Sequence, residues 1–232
     1  MFLYQPTSGY CYNSDSIFLY DFIRRCGVKG RVLDVGCGVG ILSLLLGRDF
    51  PIAVSVVDKQ EKMLAYAKHN FAINGMPLEA HLGDFTSDFH TDKRFDYIIS
   101  NPPFYDGNTT QTKDEHLNIA RYAHHLPLAK LIEGVKRWIT PRGWFIFCYD
   151  ARYLDAILYH LKASGFAPEK IQFVHSTPQK EAKLVMIAAR NNAKGVSRIQ
   201  PPLVVFDEKR NYTPLAQEAF DCASTHSIKG DF

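Results

Sequence analysis

"GRVLDVGCGVGILSLLLGRDFPIAVSVVDK", residues 30–59, decides the fold. "GRVLDVG" reads as a short buried strand. "ILSLLLGRD" is apolar almost all round, as a helix covered on both sides must be. "IAVSVVDK" is a β-branched run that ends on an acid, which suits a second buried strand. A strand, a helix and a strand in so short a stretch make a parallel βαβ unit. The turn that opens the helix carries Gly36, Gly38 and Gly40 directly after Asp34. Glycines there let the backbone bend tightly and approach a ligand where a Cβ would collide.

The ligand is not read as a dinucleotide. The fingerprint G-x-G-x-x-G, started at Gly36, places its third glycine at position 41, which is Ile41. A carboxylate beside the glycines repels a pyrophosphate but attracts an ammonium group, and Asp58 stands at the end of the second strand, where ribose hydroxyls are held. S-adenosyl-L-methionine carries both groups. The plainer alternative is that these are turn glycines only.

Outward from this unit the alternation continues. "SDSIFLYDFIRRC" (14–26) places Leu19, Phe22, Ile23 and Cys26 on one helical face behind a cap at Ser14 or Asp15. "QEKMLAYAKHNFAING" is an amphipathic helix stopped by Asn74-Gly75, "LEAHLGD" a weaker strand and "FDYIIS" a stronger one. "PLAKLIEGVKRWI", "GWFIFCYD" and "RYLDAILYHLKASGF" give helix, strand and helix. "KIQFVHS" and "KLVMIAAR" are two strands joined by a polar turn, "LVVF" a short strand and "TPLAQEAFDCA" a last helix with Pro214 in its first turn. The expectation is an α/β, Rossmann-like fold: a mostly parallel seven-stranded sheet with a terminal antiparallel hairpin and helices on both faces. No linker divides the chain, so 1–232 is expected as one domain, with residues 1–30 as an N-terminal helical segment and 191–232 as a C-terminal extension packed on it.

"NPPF" (101–104) follows the strand "FDYIIS". Proline cannot donate to a sheet, so Pro102 and Pro103 end the strand at a rigid corner. In an open α/β sheet that corner faces the same crevice as the glycine turn. The Asn101 side-chain carbonyl and the Pro102 backbone carbonyl are two acceptors, and Phe104 is a flat apolar face. An sp² amino nitrogen is a poor nucleophile. Two acceptors on its hydrogens favour the electron-richer form of the transition state. Asp84 in "HLGDF" is either a turn cap or an acceptor for an adenine amino group, with Phe85 beside it. Asn-Pro is also a common turn starter, and that reading stands beside the catalytic one.

"DVGCGVG" with "NPPF" resembles the class I methyltransferases that modify exocyclic or amide nitrogen. Gln5, Gly9-Tyr10 and Asp15-Ser16-Ile17, the "ARY" segment at 120–122 and the closing "LVVFDEKRNYTPLAQEAF" are similar to the bacterial tRNA1(Val) adenine-N6 methyltransferase family. The resemblance implies S-adenosyl-L-methionine as cofactor and tRNA as partner. It also implies methylation of the adenine beside the anticodon of a valine tRNA, by Asn101, Pro102, Pro103 and Phe104. The cofactor residues it implies are Asp34, Gly36, Gly38, Gly40, Asp58, Asp84, Phe85 and Asn101. RNA-contact candidates are Tyr105, Lys113, Arg121, Arg190, Lys194 and Arg198, each of which also reads as a solvated surface group. A release-factor glutamine methyltransferase, an rRNA guanine-N2 methyltransferase and a non-catalytic cofactor-binding module are the competing readings.

The composition sets limits. Of 232 residues 46% are hydrophobic, enough for a sizeable core, and the formal charge of +3 permits an anionic partner without demanding one. Cys11, Cys26, Cys37, Cys148 and Cys222 are odd in number and widely spaced, and the adjacent His124-His125 do not share a helix face. A reduced cytoplasmic protein without metal or membrane span is expected.

Overall fold

A computed structural model of the chain describes residues 1–7, 11–102 and 126–230. The chain runs through β1 (Phe2–Gln5), α1 (Ser14–Arg24), β2 (Gly30–Val35), α2 (Ile41–Asp49), β3 (Ile52–Asp58), α3 (Glu61–Ile73), β4 (Glu79–Leu82) and β5 (Phe95–Ser100). It continues through α4 (Leu128–Trp138), β6 (Ile139–Asp150), a 3-10 turn (Ala151–Tyr153), α5 (Leu154–Ala163), β7 (Phe166–His175) and β8 (Ala182–Asn191). The two-residue strands β9 (Arg198–Ile199) and β10 (Leu203–Val204), then α6 (Pro214–Ala223) and β11 (His226–Lys229), close it.

The main sheet has the order β10-β7-β8-β6-β5-β2-β3-β4, with β9 on β7. From β2 the chain steps outward to β3 and β4, then returns to place β5 on the other side of β2. Asp34 lies opposite Ile99 and Val35 opposite Ser100, so both strands end together where the strand order reverses. Such a switch point opens a crevice beyond the carboxyl ends of the strands. The strands on either side are covered on both faces: Val32, Leu33, Val35, Val56, Val57, Ile98 and Ile99 are all buried. Their nearly continuous apolar runs follow from that.

The expected hairpin is present: β8 is antiparallel to both β6 and β7 and lies between them. The sheet is wider than the seven strands expected, because β9 and β10 add along β7. β10 falls within the expected short strand "LVVF", whereas the two residues of β9 leave no periodicity to read. The first residues form a strand before the helix. β1 pairs in parallel with β11, a partner at the other end of the chain. Leu3 is buried under this small sheet, and the Asn70 side chain of α3 hooks it down, accepting from Tyr4 N at 2.7 Å and donating to Tyr4 O at 3.0 Å.

The first helix also differs from its expected bounds. Its cap is Asn13, whose side chain accepts from Asp15 N at 3.2 Å, and Ser14 and Asp15 are inside the first turn. Cys26 lies beyond its end, where Gly27 turns the chain at φ 70°. Residues 15–23 are all buried, because α1 is enclosed by α2, α6, β6 and β8. Burial of Leu19, Phe22 and Ile23 contributes about 1.5–3 kcal/mol each.

Candidate active site

The glycine turn after β2 is built by backbone hydrogen bonds to the neighbouring strand. Gly36 N donates to Val57 O at 2.9 Å, and Gly40 N donates to Cys37 O at 2.9 Å. Asp58, at the end of β3, joins the two turns: one carboxylate oxygen accepts from Gly38 N and the other from Gln60 N, both at 2.9 Å. Burial raises its pKa, and these amide donors act against the rise. Gly36 and Gly38 have positive φ, and a Cβ on either would meet no protein atom within 4 Å. Their open side faces the crevice. Gly40 serves packing instead. It caps α2 without lining the crevice, and a Cβ there would stand 3.1 Å from that of Ala67 on α3.

Asp34 is in the crevice wall and almost wholly buried, at 2% exposure. Burial pushes its pKa up to about 7; the Ser43 hydroxyl and amide pull it down, and the Asp58 charge pushes it further up. One of its oxygens, Oδ2, has no hydrogen-bond partner. A buried carboxylate oxygen left without a donor costs on the order of 1–3 kcal/mol, and a cation in the crevice would offset that. At the far end, Asp84 Oδ1 accepts from Thr86 N at 2.8 Å and from Thr86 Oγ1 at 2.6 Å, so this acid is a turn cap that also lines the crevice. The Phe85 ring beside it packs on Gly134 of α4, where a Cβ would approach to 2.7 Å.

Asn101 enters the same crevice from β5. Its Nδ2 donates to Ser16 Oγ of α1 at 3.0 Å, and its Oδ1 accepts from the Cys148 thiol of β6 at 2.8 Å. Pro102 follows as a buried residue. Pro103, Phe104, Tyr105, Lys113 and Arg121, with His124 and His125, lie outside the described residues.

Three expected RNA contacts are placed elsewhere. Arg190 pairs with Trp144 at the amino end of the sheet, whereas the crevice end of the same ladder is Asp150 opposite Leu184. Six residues of strand separate the two, about 20 Å. The Arg190 guanidinium lies 5.1 Å over the Trp144 ring and its Nε donates to Arg142 O at 3.2 Å, so it is a packed structural group. Arg198, opposite Lys170 in the first half of β7, and the exposed Lys194 share that side. The antiparallel run of β8 carries the chain back to the amino edge, and the basic loop goes with it.

The crevice also uses residues that motif reading missed. Tyr12 lines it, held by Tyr12 N donating to Gln5 Oε1 at 2.9 Å and by its hydroxyl 3.1 Å from Thr225 Oγ1. Gln60, Met63 and Leu126 add to the wall. Ser16 had a signal, the Asp-Ser-Ile step; Cys148 had none, because it looks like any core residue of a buried strand. Among the described residues no group of three His, Cys, Asp or Glu is placed to hold a metal, and no helix is long and apolar enough to cross a membrane.

A solved structure of a predicted O-methyltransferase from Agrobacterium tumefaciens superposes with a TM-score of 0.70, covering 92% of this chain and 99% of that one at 13% identity. This fold, with the glycine turn and Asp34 at the switch point, defines a class I S-adenosylmethionine-dependent methyltransferase. The model of the methyltransferase small domain family matches residues 13–127, and the chain is an S-adenosylmethionine-dependent methyltransferase. The resemblance expected from the sequence is found: a tRNA1(Val) (adenine(37)-N6)-methyltransferase from Phocaeicola vulgatus is 28% identical over 160 residues, 68% of each chain. Ribosomal RNA small subunit methyltransferase C from Sodalis glossinidius is 36% identical over 130 residues, 56% of this chain and 36% of that protein. The cofactor is S-adenosyl-L-methionine. The orphaned Asp34 oxygen and the open side of Gly36 and Gly38 fit its ammonium and its backbone-hugging tail.

Proposed function

We propose that this chain methylates the exocyclic N6 amino group of an adenine in tRNA, the one beside the anticodon of a valine tRNA. The observation that carries the chemistry is Asn101, set at the end of β5 in one crevice with Asp34 and the glycine turn. Similarity to the tRNA1(Val) enzymes supports the choice of adenine and tRNA. In this reading Asp34 holds the cofactor ammonium, Gly36 and Gly38 give it room, and Asp58 meets the ribose with the lone pairs its amide bonds leave free. Asp84 and Phe85 stand at the adenine end. S-adenosyl-L-methionine supplies a methyl group on a sulfonium, which leaves its bonding pair on sulfur.

Asn101 Oδ1 and the Pro102 carbonyl accept the two hydrogens of the target amino group, which favours the pyramidal nitrogen of the transition state. Phe104 stacks on the base, and the surplus proton of the methylated nitrogen leaves to water. A base in an exposed loop is splayed out at less cost than one in a duplex. Tyr105, Lys113 and Arg121 are proposed as RNA contacts on sequence position alone.

A second reading, guanine N2 in ribosomal RNA, is favoured by the higher identity to the Sodalis protein over the shared segment. Incubation with labelled S-adenosylmethionine and either tRNA or ribosomal RNA separates them. Label in tRNA as N6-methyladenosine is expected; label in ribosomal RNA as N2-methylguanosine selects the second reading, and label on protein alone overturns both.

A further inference from the structure

Asn101 is held by two side chains far from it in sequence: Ser16, in the Asp-Ser-Ile step of the N-terminal segment, and Cys148, which no motif marks. We propose that Ser16 and Cys148 are positioning residues that lock the Asn101 amide with its oxygen toward the substrate, an inference that rests on the proposed role of Asn101.

An asparagine amide has two ends of similar shape and opposite character. With NH2 toward the nucleophile it would donate to an amino group that needs an acceptor, and catalysis would be lost without any change of shape. Ser16 Oγ takes Nδ2 at 3.0 Å, which turns the NH2 end toward α1. Cys148 Sγ donates to Oδ1 at 2.8 Å, which fixes the other end and leaves the second lone pair of the oxygen for a substrate hydrogen.

The register explains why position 148 reaches. Ser100 lies opposite Phe147, so Asn101, the first residue past the end of β5, stands beside Cys148, two residues before the end of β6. Ser16 arrives from the first turn of α1, a helix buried against the same strand. Both groups are shielded, Cys148 at 0% and Ser16 at 4% exposure, so water does not compete for the contacts. Burial and the nearby Asp15 charge push the Cys148 pKa well up, which keeps it a protonated thiol and hence a donor.

The sulfur donor is replaceable in kind. Serine at position 148 keeps an O–H, whereas alanine keeps nothing. The test compares Cys148→Ala, Cys148→Ser, Ser16→Ala and Asn101→Ala in methyl transfer from labelled S-adenosylmethionine to tRNA purified from cells lacking the protein. Cofactor affinity is measured by calorimetry, the melting temperature is followed, and a crystal structure of Cys148→Ala is solved.

The expected result for Cys148→Ala is a kcat lower by roughly 10- to 100-fold, the cost typical of a misplaced catalytic group, with the KM for tRNA and the cofactor Kd unchanged. The Asn101 side chain rotates in the crystal, and Cys148→Ser recovers most of the kcat. Ser16→Ala moves kcat in the same direction, and it serves if Cys148→Ala does not fold. If Asn101→Ala is inactive while Cys148→Ala and Ser16→Ala keep the wild-type kcat, the inference is overturned and the role of Asn101 stands. A loss in Cys148→Ala that serine does not restore overturns it too, since packing alone then explains the loss. Methyl transfer retained by Asn101→Ala overturns the underlying reading.

Discussion

The turn after β2 and the turn after β5 stand side by side at one edge of the sheet, yet they are held in different ways. The first is nearly self-contained: Gly36, Gly38 and Asp34 are braced by Val57, Asp58 and Ser43, all within one βαβ unit. The second depends on the rest of the chain, because Asn101 is fixed by Ser16 from α1 and Cys148 from β6. Local bracing suits a cofactor common to a whole class of enzymes. Remote bracing ties the proposed catalytic corner to elements that can differ between substrates. Mutations should therefore separate the two regions cleanly.

The largest effect is expected at the second turn. Asn101→Ala removes the acceptor proposed to act in the transition state, and kcat should fall by roughly 100- to 1000-fold, with cofactor affinity in calorimetry nearly unchanged.

Asp34→Asn is the complementary break. Loss of a buried charge partner costs about 2–3 kcal/mol, so the cofactor Kd should rise roughly 30- to 150-fold, with much less change in the saturated rate. The pH dependence follows from the pKa of about 7, raised above the ordinary value of 3.8. The folded protein keeps a proton that the unfolded chain has released. The stability linked to it is full below the unfolded pKa and is lost as pH rises through about 7. Above that pH the cofactor-free Asp34→Asn protein should melt higher than the wild type. Wild-type affinity for the cofactor should fall as pH drops below about 7, since the ammonium needs the ionised acid, and Asp34→Asn should lose that dependence.

Asn70→Ala tests how self-contained the first turn is. Asn70 is fully buried, donates to Val39 O of the glycine turn at 2.9 Å and exchanges hydrogen bonds with Tyr4. Its loss leaves buried backbone groups unpaired, for about 2 kcal/mol. A melting temperature lower by roughly 4–8 °C is expected in calorimetry. The smallest effect is expected at the far edge: Lys194→Ala with Arg198→Ala should leave the KM for tRNA and its salt dependence unchanged, because these groups sit at the amino end of the sheet. A shallower salt slope in that variant would return the basic loop to the RNA surface.

The sequence was most legible where structure is local. β2, β3 and β5 are continuous apolar runs between strong breakers, and the glycine turn and "NPPF" announce the two corners on the same edge. β1 was illegible because it pairs with β11 across the length of the chain, and the four residues "FLYQ" are too few, and three of them apolar in a row, to show the alternation that burial gives them. Cys148 was illegible for another reason: its neighbours in "FIFCYD" make it look like core, and only the register of β6 on β5 brings it to Asn101. The basic loop is instructive in its placement, away from the crevice. The β7–β8 hairpin was expected, and a hairpin after a strand that ends at the crevice must run back to the opposite edge, so the position of Arg190 followed from it.

The most direct test of the central claim is nucleoside mass spectrometry of valine tRNA from cells lacking this protein, complemented with either the wild type or Asn101→Ala. N6-methyladenosine beside the anticodon should disappear in the deletion, return with the wild type and stay absent with Asn101→Ala. Its persistence in the deletion strain, or its return with Asn101→Ala, would contradict the account.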